Sequence, residues 1–94
     1  MSPLYRVVRF EMGDLSITAH AEDQVPRHEV IEALSRHLSG DWGDVGEDDW
    51  KENDFAMTRQ LRLFSVYHTD SGRKFWIITE ADRSYTTVLL PEDY

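Results

Sequence analysis

The run LRLFSVYHTDSGRKFWIITEADRSYTTVLL, residues 61–90, decides the fold. Its β-branched and aromatic residues come in three blocks, 61–68, 74–80 and 85–90. Between them stand the polar stretches Thr69-Asp70-Ser71-Gly72 and Ala81-Asp82-Arg83-Ser84. Connections that short join antiparallel neighbours, so a three-stranded meander is expected. In the middle block Phe75, Ile77 and Thr79 share one face, while Trp76, Ile78 and Glu80 share the other. Both faces are partly apolar and a single helix covers only one of them. The second face therefore calls for the chain's acidic segment or for a partner.

Working towards the N-terminus, residues 26–40 carry Val30, Ile31, Leu34 and Leu38 at helical spacing. Pro26 suits a first turn, the acids Glu22 and Asp23 suit the positive end of a helix dipole, and Gly40 suits a C-terminal cap. This is the main amphipathic helix, expected to lie on the sheet. His37 falls in its last turn, where a dipole role is the simplest reading. His28 and His37 are nine positions apart, not the i, i+4 pair that shares a metal. Further back, LYRVVRFE (4–11) and the alternating LSITAHA (15–21) flank Met12-Gly13-Asp14, which predicts a hairpin turning at Gly13. Arg6 and Arg9 fall on opposite faces of the first strand, as at a sheet edge. The expected architecture is a single α+β domain over residues 1–94. An antiparallel sheet, built from this hairpin and the meander, carries one main helix and a short second one.

Composition narrows the function. The 94 residues hold 18 acidic against 10 basic side chains, a net charge of −8. Direct nucleic-acid binding is disfavoured, because its affinity comes from neutralising phosphates with Lys and Arg. The same charge suits a basic partner, and it also serves solubility. With no cysteine there is no disulfide and no thiolate chemistry. No stretch approaches the ~20 apolar residues of a membrane span, so a cytoplasmic setting is expected.

The acidity is concentrated in SGDWGDVGEDDWKEND, residues 39–54, with seven of the acids, two of the three tryptophans and three of the five glycines. Asp44, Asp48 and Glu52 stand at i, i+4 and i+8, with Glu47 beside them. A helix from Gly46 would line them up about 5–6 Å apart. DNA carries a phosphate every ~3.4 Å along a strand, so such a stripe is a sparser imitation of it. The partner-binding set read from this segment is Asp41, Trp42, Asp44, Glu47, Asp48, Asp49, Trp50, Glu52 and Asp54. The plainer reading is a solvated helix face with Trp50 and Met57 turned inward. An EF-hand overlay places Asp41, Gly46 and Glu52 at loop positions 1, 6 and 12, but Gly43 and Val45 at positions 3 and 5 supply no side-chain oxygen. No metal or cofactor is expected. No nucleophile motif or phosphate loop is present either, and a non-enzymatic protein is expected.

GDWGDV at 40–45, Asn53-Asp54, and above all KFWIITEADRSYTTVLLPEDY at 74–94 resemble a family of small acidic proteins of bacterial plasmids, integrative elements and phages. The resemblance covers residues 37–94. It implies a mobile-element protein acting in a bacterial host cell. By analogy with anti-restriction and anti-CRISPR inhibitors, it implies inhibition of a defence nuclease complex through a DNA-like acidic surface. The alternative is an accessory or structural protein that forms a homodimer through the uncovered sheet face.

Overall fold

The computed structural model describes residues 7–94. Strand β1 (Asp14–Ile17) leads to helices α1 (Ala19–Gln24), α2 (Arg27–Leu38) and α3 (Glu47–Arg59). Strands β2 (Leu63–His68), β3 (Lys74–Thr79) and β4 (Tyr85–Leu89) follow, then a 3₁₀ turn at Pro91–Asp93. The expected meander is present, with β2–β3 and β3–β4 antiparallel. The sheet order is β1-β4-β3-β2 and β1 runs parallel to β4, so the sheet is mixed and not purely antiparallel.

The N-terminal hairpin is replaced by this parallel edge, for local reasons. Residues 7–11 form no strand: the Arg9 amide donates to the Leu38 carbonyl at the end of α2, and the Phe10 ring packs against both His37 and Trp42. Residues 4–6 of the expected first strand lie outside the described residues. The second run stops being strand at Ile17, because the Thr18 hydroxyl accepts from the Ala21 amide and caps α1. Alternation in LSITAHA mimics a strand as far as residue 21, yet Ala19 and Ala21 are helix formers placed just after a good cap. Gly13, at φ 64°, brings the Asp14 amide onto the Ser84 carbonyl. A Cβ there would stand 2.2 Å from that oxygen.

The main core lies between α1, α2 and one sheet face. Ala21, Val25, Val30 and Ala33 pack on Tyr67, Phe75, Ile77 and Val88. In the predicted α2 stripe Val30 is buried and Leu34 and Leu38 half-buried, but Ile31 is 63% exposed. A second cluster joins Trp42, Ala56 and Leu63 to Phe10, Val45, Trp50 and Met57 beneath α3. His37 bridges the two clusters. It is fully buried among Ser65, Thr79, Phe10 and Trp42, and is not the surface dipole partner that its position suggests.

On the other sheet face the acidic segment does not fold over the strands. Instead Trp76 meets Phe64 and Tyr94, and the Arg62 guanidinium lies over the Tyr94 ring and donates to its hydroxyl. The C-terminal tail is tied down: Asp93 accepts from the Thr18 hydroxyl and the Leu90 amide.

Candidate functional site

The acidic segment is bound to the outer edge of β2. The backbone around Gly43 pairs with Val66: the Val66 amide donates to the Trp42 carbonyl, and the Asp44 amide donates to the Val66 carbonyl at 2.7 Å. Gly43, at φ 76°, permits this approach, since a Cβ would lie 2.0 Å from the Val66 oxygen. Two residues along, the Asn53 side chain from α3 takes the place of another strand. Its Nδ2 donates to the Phe64 carbonyl and its Oδ1 accepts from the Phe64 amide. The outward groups of Phe64 and Val66 are thereby satisfied, and this edge is closed to further pairing.

Three anchors fix α3 there. Asn53 holds the middle of the helix. Trp42 Nε1 donates to Asp54 at 2.9 Å. At the C-terminal end the buried Arg83 guanidinium donates to the carbonyls of Ala56, Leu61, Glu80 and Ala81. None of the three follows from spacing along the chain, because each joins residues that only the fold brings together. Arg83 does so from φ 63°, a left-handed conformation unusual for its type.

The nine predicted partner-binding residues divide sharply. Trp42 is fully buried and Trp50 half-buried, so the tryptophans belong chiefly to the core and not to a contact surface. Asp41 is half-buried and forms a bidentate pair with Arg36 at 2.8 and 3.2 Å, while also accepting from the Gly43 amide. It shapes the loop. Asp44 lies before the helix, not on it, and its carboxylate meets His68 Nε2 at 2.8 Å. The continuous Asp44-Asp48-Glu52 stripe is therefore shortened to its helical part. Glu47 pairs with Lys51 at 3.4 Å, both well exposed, an interaction worth a few tenths of a kcal/mol. Asp48, Asp49 and Glu52 are exposed and have no partner among the described residues. Asp54 is exposed and spends one oxygen on Trp42.

Electrostatics explain some of this. Glu47, Asp48 and Asp49 occupy the first turn of α3, where the helix dipole favours anions. Glu52 and Asp54 gain nothing from the dipole, and they extend the negative field along the helix. Phe55, 51% exposed beneath the Arg59 guanidinium, sits beyond the acids. The site is thus an anchored helical ridge, with carboxylates unpaired among the described residues at its N-terminal half and an aromatic–cation pair at its end.

Elsewhere, a cleft of about 260 Å³ lies between α2 and the β2–β3 hairpin, lined by His28, Glu32, Arg36, Tyr67, His68 and Asp70 among others. Among the described residues no three His, Asp or Glu side chains come together as a metal site, and no helix is long and apolar enough to cross a membrane. The EF-hand overlay also fails on geometry, because α3 begins at Glu47, inside the would-be loop. Millimolar calcium should accordingly leave the thermal midpoint within about a degree of its value in chelator. A midpoint that saturates upward at micromolar calcium would contradict this, because tight binding adds several kcal/mol. Compared with known protein families, curated proteins and solved structures, the chain finds no match.

Proposed function

We propose that this chain is a non-enzymatic binding protein whose acidic α3 ridge docks on the basic, nucleic-acid-binding surface of another protein. The observation that carries the reading is the set Asp48, Asp49 and Glu52: exposed, unpaired among the described residues, and mounted on a helix pinned at its middle and at its C-terminal end. A carboxylate array used only for solubility does not require a helix anchored at two points. Preorganisation reduces the entropy lost on binding. One helical step of four residues advances about 6 Å, so Asp48 and Glu52 are spaced as a coarse copy of a phosphate row.

The family resemblance of the motifs at 40–45 and 74–94 suggests, by analogy, a class for this partner: a nuclease complex of the bacterial host's defence, inhibited by occlusion of its nucleic-acid channel. The alternative, self-association through the open sheet face, has less surface to offer. Ile78 is already buried, and Trp76 is partly covered by Phe64 and Tyr94.

The test is competition. The immobilised protein should retain such a nuclease complex from a host lysate, and duplex DNA should displace the complex. Retention should fall steeply as salt rises, since charges at the surface are screened within about 8–10 Å. A retained partner indifferent to both DNA and salt would refute the reading.

A further inference from the structure

The two edges of the sheet are built differently. Residues 42–44 and Asn53 seal β2, whereas β1 stands at the other end and, among the described residues, has β4 on one side only. The amides of Asp14 and Thr18 donate to β4, so alternation turns the N–H and C=O groups of Leu15 and Ile17 outward. Native edges are usually blunted by lysine, proline or a bulge. This one is flanked by exposed apolar side chains, with Leu15 41% and Ile31 63% exposed. They border an apolar groove of about 370 Å³ between β1 and α2, lined also by Ile17, Val25, Val30 and Leu34.

We propose that the groove and edge receive a second copy of this chain, β1 pairing antiparallel with its counterpart about a two-fold axis at Ser16. The register is self-complementary. With Ser16 opposite Ser16, Leu15 lies opposite Ile17 of the other copy, and both residues have outward backbone groups. Each such pair exchanges two hydrogen bonds, so the two-fold provides four. The same register sets Leu15 and Ile17 together on the helix-bearing face and places Asp14 against Thr18, not against another Asp14. Two four-stranded sheets become one of eight strands, with Ile31 from each α2 near the junction.

Charge and topology favour this occupant. The groove rim carries one residue of each sign, Glu22 and Arg27. The acidic helix lies at the opposite edge of the sheet, so dimerisation keeps the two negative ridges far apart. Because β2 is sealed, pairing through β1 stops at two copies instead of continuing into a filament.

Sedimentation equilibrium on the full chain from micromolar to millimolar concentration tests the proposal without any partner protein. The average mass should climb from 11.0 kDa towards twice that value. Amide exchange at Leu15 and Ile17 should slow as concentration rises. Leu15→Lys and Ile31→Lys should each weaken association at least ten-fold, with an unchanged melting temperature in dilute solution. Tyr94→Ala, on the opposite sheet face, should leave association intact. A monomer at every concentration overturns the proposal. So does a dimer indifferent to both lysine variants, or one that Tyr94→Ala dissociates.

Discussion

Acidifying this protein from pH 7 to pH 5 should cost it about 2 kcal/mol of stability through one residue, His37. The imidazole is fully buried, and desolvation, assisted by the nearby Arg83 cation, pushes its pKa down to about 3 from the usual 6.5. Its hydrogen bonds fix the tautomer. The Thr86 hydroxyl donates to the Met12 carbonyl, so it must accept from Thr79. The Thr79 oxygen in turn accepts from His37 Nε2–H, which leaves Nδ1 to accept from Ser65 at 2.6 Å. A proton added at Nδ1 meets a hydroxyl already donating to it. Above pH 6.5 the folded and unfolded chains both hold neutral imidazole and the stability is whole. Between pH 6.5 and about 3 only the unfolded chain takes the proton, so stability falls by up to about 1.4 kcal/mol per pH unit. His37→Gln keeps a donor and an acceptor but does not titrate. Urea unfolding of both proteins at pH 7 and pH 5 isolates the effect: the loss in the native protein should exceed that in the variant by about 2 kcal/mol. Equal losses would show that His37 is charged, or exposed, in the fold.

Arg83→Met should be the most damaging conservative-sized substitution, costing on the order of 3 kcal/mol and lowering the thermal midpoint by about 10–20 °C. Only 8% of Arg83 is exposed, and it has no carboxylate partner among the described residues. Its charge is solvated by four backbone carbonyls and by the Phe10 ring, 5.6 Å away. Methionine fills similar space and satisfies none of these oxygens. Two of them, from Ala56 and Leu61, lie at the C-terminal end of α3, where a cation also complements the dipole. Loss of Arg83 should therefore loosen the acidic helix before the sheet, visible as faster amide exchange in α3 than in β3. The positive φ adds a second signature. Arg83→Gly should be more stable than Arg83→Ala by about 1 kcal/mol, because glycine alone occupies that conformation without strain. A melting temperature unmoved by Arg83→Met would remove Arg83 from the scaffold.

Much of the framework was legible in the sequence because it is encoded locally. The blocks at residues 61–90 and their polar turns predict β2, β3 and β4, and the spacing from Val30 to Leu38 predicts α2. The helix allowed from Gly46 forms as α3, but at 13 residues it is longer than α2 and not the short second helix expected, and α1 is a third helix in place of a strand end. The failures come where a local pattern has two readings or where the partner is distant. LSITAHA alternates like a strand, but Thr18 caps a helix, and the hairpin gives way to parallel pairing with β4. Nothing near His37, Asn53 or Arg83 announces that they bond to Ser65, Phe64 and Ala56, since folding alone sets those distances. The acidic segment shows the same division. Its charge was plain from composition, while the burial of Trp42, the Asp41–Arg36 pair and the Asp44–His68 contact depend on β2 lying alongside.

The claim that the α3 ridge is a binding surface rests on the position of its charges, so charge reversal tests it most directly. Asp48→Lys and Asp70→Lys change net charge equally, but Asp48 lies on the ridge and Asp70 in the β2–β3 turn. Each variant would be titrated against the nuclease complex retained by the native protein, at low and at high salt. Like charges brought together at an interface cost several kcal/mol. Asp48→Lys should therefore weaken binding at least a hundred-fold at low salt, a loss of about 2.7 kcal/mol or more, and Asp70→Lys only slightly. Equal affinities for the two variants would contradict the account and reduce the acidic helix to a solubilising face.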